Sequence, residues 1–311
     1  MDVSVDHLIV KYKDFTAVKD ISFEVKEGQI FAIIGPNGSG KTSTIECIEG
    51  LRKPDSGTIR VLGMDPQKHR KEIYKKIGIQ LQEAQYQSKI KVHELCDQFS
   101  SFYDSPADYK SLLKQFDLEK RSQKYVSTLS GGEKQKLSIL LALIPKPQIL
   151  FLDELTTGLD PEARHNLWNY IKEINAQGIT VLMISHFMDE VEYLANEVLL
   201  LKDGNILETG TVDALRKKSG LSKKATFYVS DMDHVNLDCL KSMKGVSKVY
   251  NHNNEIMIYG NGLEMGDEIS QYLKTSNCTY TNFIFGEITF EDIYLIDTDY
   301  NFSNVGGGAG L

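Results

Sequence analysis

The sequence predicts an α/β fold built on a parallel sheet, followed by a small α+β domain. Three observations carry that prediction. Short apolar strand-like runs alternate with amphipathic helical segments through the first two thirds of the chain. A glycine-rich loop joins one such run to a helix, and the texture of the sequence changes near Ser219. The length of 311 residues, at roughly 150 per domain, independently sets two domains as the default.

Val3–Lys11 and Ile21–Val25 alternate apolar and polar residues and read as N-terminal strands. Gln29–Ile34 is a continuous apolar run ending at Gly35, the pattern of a buried strand feeding a loop. Lys41–Glu49 follows as a helix, and Pro54-Asp55-Ser56-Gly57 is a turn signal. Residues 84–145 form a helical insert, with helical spacing at Val92/Leu95/Phe99 and at Leu112/Leu113/Phe116. Within it, a helix over Glu133–Ile144 is stopped by Pro145. Ile149–Leu152 and Thr180–Ile184 read as buried strands, with the amphipathic segment Ala163–Ala176 between them.

Lys217-Lys218-Ser219-Gly220 divides domains 1–218 and 219–300. The second reads strand (225–230), helix (235–243), strands (246–251 and 255–259), helix (265–274), strand (280–285) and helix (289–297). This is the β-α-β-β-α-β order of a ferredoxin-like fold. Residues 301–311, with their run of glycines, read as a flexible tail.

Hydrophobic residues are 41% and charged residues 25%, which excludes a disordered chain. The longest apolar run, Ile139–Ile144, is far short of the about 20 residues of a membrane span. Charged positions at short intervals near the start argue against a secretory signal and for the cytosol. The net charge is −8, and residues from Ser219 onward hold 6 basic and 12 acidic side chains. No basic footprint for nucleic acid is present. Cys47, Cys96, Cys239 and Cys278 are scattered, and read as reduced packing thiols.

Gly35-Pro36-Asn37-Gly38-Ser39-Gly40-Lys41-Thr42 matches the P-loop pattern between a predicted strand and a predicted helix. Its glycines let backbone amides turn inward as an anion nest, and the helix start adds its dipole. Lys41 supplies a charge for the β- and γ-phosphates, and Thr42 a hydroxyl for Mg²⁺. The plain alternative is a glycine-rich turn without a ligand. Ile149–Leu152 runs into Asp153 and Glu154. A strand end of a parallel sheet is where ligands bind, so Asp153 can hold Mg²⁺ and Glu154 can orient a water as base. Alone, these would read as solvated acids; beside a P-loop they do not. Leu129-Ser130-Gly131-Gly132-Glu133 fits a capping box between Ser130 and Glu133. The two glycines weaken a helix start, and make sense if backbone approaches a phosphate. Both readings stand at this point.

Together these residues resemble the ATP-binding subunits of ABC transporters, over residues 3–215. Gly35–Thr42 and Ile149–Glu154 resemble the two nucleotide-binding motifs, and Leu129–Glu133 the signature motif. Gly158-Leu159-Asp160 resembles the D-loop and His186 the switch histidine, while Gln82 best fits the Q-loop glutamine, with Gln80 as a competing register. Tyr12 fits the aromatic position that stacks on adenine, an interaction worth about 1–3 kcal/mol per base. Two departures stand out. Glu133 replaces the usual glutamine of the signature, and Leu155 replaces a proline after Glu154. The segment Phe290-Glu291-Asp292-Ile293-Tyr294-Leu295 resembles the close of ATPase subunits of drug- and antibiotic-resistance exporters.

The resemblance implies a P-loop ATPase cassette with ATP and Mg²⁺ as cofactors. ATP would be held by Tyr12, Gly35, Asn37, Gly38, Ser39, Gly40, Lys41, Thr42 and Ser43 of one chain. Ser130, Gly131, Gly132 and Asp160 of a second ATPase subunit would complete the site. Thr42, Gln82 and Asp153 would serve Mg²⁺, and Glu154, His186 and Gln82 hydrolysis. The implied partners are polytopic membrane subunits, docked through the insert, which places the chain on the inner face of the membrane. An importer ATPase shares every motif, and only the C-terminal extension argues for export. A soluble ABC ATPase of DNA repair or ribosomes is disfavoured by the single cassette, the absence of heptads and the acidic chain. A regulator without turnover is disfavoured by Glu154 and His186.

Overall fold

The first strand, β1 (Val3–Tyr12), is antiparallel to β2 (Phe15–Val25) on one side and β4 (Ser56–Val61) on the other. Val3, Val5, Leu8 and Val10 are all buried although the spacing breaks between Val5 and Leu8. A register shift there, with His7 at φ 49°, restores the inward face. The structure, a computed structural model, describes residues 1–80, 86–87, 89–276 and 278–298.

A second sheet runs in the order β5-β6-β7-β3-β8-β9, made of β5 (Ile77–Gln80), β6 (Ile149–Asp153), β7 (Thr180–Ile184), β3 (Ile30–Ile34), β8 (Glu197–Lys202) and β9 (Asn205–Gly210). All neighbours are parallel except β9, which turns back against β8. Strands β3 and β7 are buried along their whole length, which explains their uninterrupted apolar sequence. One core joins the two sheets, with Ile45, Cys47 and Ile48 of α1 (Lys41–Ile48) packed into it.

Between these strands lie α2 (Arg70–Tyr74), α3 (Val92–Ser100), α4 (Tyr109–Gln115), α5 (Gly131–Leu143), α6 (Pro161–Ala176) and α7 (Met188–Leu194). The predicted insert thus contains α3 to α5, with α5 packed on β5. Because β6, β7 and β3 are adjacent and parallel, their carboxyl ends are level: Ile184 lies opposite both Ile33 and Asp153. Three separate loops therefore emerge side by side. Among the described residues no helix is long and apolar enough to cross a membrane.

The chain divides into compact units Met1–Thr211 and Val212–Leu311. The expected boundary at residue 218 is therefore too late. Helix α8 (Val212–Ser219) packs with α11 (Phe290–Asp297) and so belongs to the second unit. There the chain runs β10 (Lys223–Val229), α9 (Leu237–Ser242), β11 (Val246–His252), β12 (Glu255–Gly260), α10 (Glu264–Thr275) and β13 (Tyr280–Glu287), and the four strands form an antiparallel sheet in the order β11-β12-β10-β13. That is the ferredoxin-like strand order. Phe227, Leu240, Ile258, Met265 and Ile269 fill one side of it, and Met257, Tyr259, Ile293 and Ile296 pack together on the other. The tail expected over 301–311 lies outside the described residues.

The acid pair of the terminal helix is split by this packing: Glu291 is exposed and Asp292 is buried. Asp292 caps α11 through Thr289, accepts from the Tyr259 hydroxyl (3.0 Å) and pairs with Lys224 Nζ (2.5 Å). Replacing it by Ala removes all of these and is expected to destabilise the second unit by about 2–3 kcal/mol, the scale for a hydrogen-bonded charge. Urea unfolding of the full chain, against Glu291→Ala as the silent control, checks this.

The packing-thiol reading holds for three cysteines only. Cys47, Cys96 and Cys278 are buried, and burial pushes the first two thiols up to about 12. Cys239 is exposed.

Candidate functional site

The loop after β3 is shaped by glycines at positive φ: Gly35 (152°), Gly38 (79°) and Gly40 (102°). A Cβ on Gly35 would lie 2.2 Å from the Leu201 carbonyl oxygen, and one on Gly40 would lie 2.6 Å from that of Ala17. No other residue fits either position. Gly40 is the N-cap of α1 and offers no side chain to its first amides, which leaves them for an anion. Lys41 is the first residue of α1 and is nearly buried. Its Nζ donates to the carbonyls of Gly35 (2.8 Å) and Pro36 (3.0 Å). Burial depresses its pKa, while Glu154 and Asp153 oppose the shift. Ser39 is 2% exposed and its Oγ has no hydrogen-bond partner, an orphaned polar atom in the loop that a phosphate oxygen would satisfy.

A single cleft is lined by Tyr12, by Asn37 to Ser43, and by Asp153, Glu154 and His186. The structure thus brings together predicted residues from β1, the P-loop and the ends of β6 and β7. Glu154, just past the end of β6, adopts φ 47°, a strained conformation for a non-glycine residue. His186 Nε2 lies 3.1 Å from Glu154 Oε1. Burial and Lys41 lower the His186 pKa, against the pull of Glu154. Burial and Glu154 raise that of Asp153, against Lys41. A carboxylate made costly by burial and by a neighbouring carboxylate is one that gains from a cation.

The exposed Thr42 hydroxyl shares the cleft with Asp153. Among the described residues no three His, Cys, Asp or Glu side chains converge into a cation cage. This donor set fits Mg²⁺, which fills its shell with phosphate oxygens and water. Gln82 lies outside the described residues. Gln80, the competing register, is buried, and its Oε1 accepts from the Asp153 amide (3.0 Å).

Tyr12 is held on two sides. Its hydroxyl is 3.0 Å from Ser43 Oγ, and the Arg52 guanidinium lies 4.1 Å over its ring. Arg52 is itself paired with Glu46 (2.8 Å). Sequence reasoning missed Arg52, and also Phe15 and Ala17, which line the same cleft. An aromatic three residues after Tyr12, across a short turn, was the available signal for Phe15.

Ser130, Gly131, Gly132 and Asp160 do not line this cleft. Ser130 caps α5: its Oγ accepts from Glu133 N (3.2 Å), and Glu133 accepts from Ser130 N (2.9 Å) and pairs with Arg121 (2.6 Å). The departure to Glu133 therefore closes the capping box and an ion pair. Asp160 caps α6 by accepting from Ala163 N (2.9 Å). The glycine pair is not explained by packing within the chain. Neither has positive φ, and an added Cβ would meet nothing closer than 3.8 Å at Gly131 and 3.7 Å at Gly132.

Residues 18–157 match the family model described as ABC transporter. The chain is 33% identical to the linearmycin resistance ATP-binding protein of Bacillus subtilis over 79% of this chain and 81% of that one. It is 30% identical to a daunorubicin resistance ATP-binding protein of Streptomyces coeruleorubidus, over 70% and 71% respectively. Among solved structures, the ATP-binding subunit of an ABC transporter matches with a TM-score of 0.65 and 27% identity, covering 71% of this chain and 94% of that one. An ATP-binding cassette in its ADP conformation matches at 0.60 and 25%, over 68% and 91%. On this likeness the chain belongs to the ABC transporter family as one of its ATP-binding subunits, an ATPase.

Proposed function

We propose that this chain is the ATPase of an exporter, working as a head-to-tail pair of ATP-binding subunits beneath polytopic membrane subunits, on the cytosolic face. The observation that carries the pairing is the glycine pair of α5. Its backbone is kept bare although nothing in its own chain requires it, and it stands away from its own chain's P-loop cleft. A helix start with exposed amides suits a phosphate brought by a second subunit. Export is supported by the relatives, two of which are named for resistance to linearmycin and daunorubicin. The terminal Phe290–Leu295 segment, resembling that of drug exporters, supports the same direction.

In this reading the P-loop amides, Ser39 and Lys41 bind the phosphates, and Tyr12 carries the adenine. Thr42 and Asp153 hold Mg²⁺, which when bound neutralises phosphate charge and orients the γ-phosphate. Glu154 takes the proton of the attacking water, and His186, hydrogen-bonded to it, faces the γ-phosphate. The protein contributes position and charge rather than covalent chemistry. The insert docks the membrane subunits and transmits closure to them.

The test is co-expression with candidate membrane subunits and ATP-driven substrate accumulation in inside-out vesicles. Uptake into such vesicles is the expected result, and ATP-driven efflux from them would assign import. The second unit is expected to be dispensable for nucleotide binding, since every nucleotide motif precedes Thr211. A chain ending at Thr211 should bind ATP within about threefold of the full chain by calorimetry. A folded truncation with no affinity would show that the units are not independent.

A further inference from the structure

His186 is carried by a short loop between β7 and α7, yet its neighbours on both sides are fixed from behind. Ser185 is fully buried. Its hydroxyl donates to Glu190 Oε2 (2.5 Å) and accepts from the amide of Phe187 (3.0 Å). Glu190, in the first turn of α7, is itself 0% exposed. Its other oxygen accepts from the indole Nε1 of Trp168 on α6 (3.0 Å). A second link runs in parallel. Arg164, one turn earlier on α6, donates from Nη2 to both carboxylate oxygens of Asp189 (2.8 and 2.7 Å) and lies over the Phe187 ring at 4.6 Å. The residues immediately before and after His186 are thus tied to one face of α6.

Burying a carboxylate is costly, and three apolar side chains of the same volume would pack more cheaply. What an apolar cluster lacks is direction. Each hydrogen bond here has one geometry, and the chain Trp168–Glu190–Ser185–Phe187 specifies one loop conformation. We propose that Glu190 is a positioning residue for ATP hydrolysis, acting through Ser185 and Phe187 to hold the His186 loop so that the imidazole meets Glu154. Trp168 and Arg164 anchor it to α6. This rests on the part in turnover assigned above to His186. None of these side chains lines the nucleotide cleft, so ATP affinity is not their business.

The test uses the full-length protein, with turnover, KM for ATP and equilibrium ATP affinity measured on each variant. Glu190→Ala is expected to lower kcat about tenfold or more, with KM and affinity within twofold. Glu190→Gln, which can still bridge Trp168 and Ser185, should recover most of the loss. Trp168→Phe keeps the ring and loses the donor, and should lower kcat about three- to tenfold. It also serves if Glu190→Ala fails to fold. In single-turnover measurements, Glu190→Ala added to His186→Ala should cost nothing further. Losses that multiply in that double variant, or Gln as impaired as Ala, would overturn the positioning link. So would full kcat in Trp168→Phe together with full kcat in Glu190→Ala. His186→Ala with wild-type turnover would instead remove the assignment of His186, and the two failures are distinguishable.

Discussion

Glu154→Gln is expected to retain ATP binding and lose hydrolysis by roughly 10²–10⁴-fold, the scale of a positioned general base. The substitution keeps shape and keeps a hydrogen-bonding atom 3.1 Å from His186 Nε2, while removing the ability to take a proton. It also removes one negative charge from beside the P-loop, where Lys41 feels both Glu154 and Asp153. Affinity for ATP should therefore hold or tighten. The fold is not at risk, because the Glu154 amide donates a hydrogen bond to the Ile184 carbonyl (3.1 Å) that does not depend on the side chain. Phosphate release and ATP affinity, measured on the same preparation, check both halves. Turnover near wild type would show that another group activates the water.

The parts of this site that could be read in the sequence are those whose requirement is local. Gly35 and Gly40 are demanded by φ and by carbonyls lying within 2.6 Å of where a Cβ would sit, so their spacing appears as a written motif. Asp153 and Glu154 end an apolar run, and a run buried along its length marks its own carboxyl end. The same holds for the second unit, whose six elements between residues 223 and 287 follow the expected order. What could not be read depends on residues far apart. Arg52, in the loop after α1, lies over Tyr12 on β1, a contact between residues forty apart, whereas Phe15 faces Tyr12 across the short β1–β2 turn and was within reach of the sequence. The boundary was misplaced because charge shifts at Ser219, whereas packing divides the chain at Thr211, and composition does not report which helix α8 touches. Strands β4, β5, β8 and β9 have no counterpart in the sequence reading: β5 is four residues long, β4 and β9 carry no continuous buried run, and β8 is a short buried run that periodicity alone does not separate from a helix.

Gly132→Asp and Lys41→Ala are both expected to abolish hydrolysis, and for opposite reasons. Lys41→Ala removes the ammonium that sits over the P-loop carbonyls of Gly35 and Pro36. A charge-assisted contact worth about 1.5–3 kcal/mol is lost, so ATP should bind its own chain about 10–100-fold more weakly. Gly132→Asp leaves that cleft untouched. The added Cβ meets Ala163 Cβ at 3.7 Å and Leu159 Cδ2 at 3.9 Å, ordinary contacts, and an acid in the first turn of α5 suits the helix dipole. The variant should therefore fold and, as a monomer, bind ATP like wild type. Hydrolysis should nonetheless fail, because the new carboxylate and the new Cβ stand where the proposed second subunit brings its γ-phosphate. Gel filtration with ATP should then show the Glu154→Gln chain as a dimer and the Glu154→Gln/Gly132→Asp chain as a monomer. Calorimetry on the Gly132→Asp monomer decides the matter. A loss of affinity as large as that of Lys41→Ala would mean that the signature serves its own chain's nucleotide, and the head-to-tail arrangement would have to be abandoned.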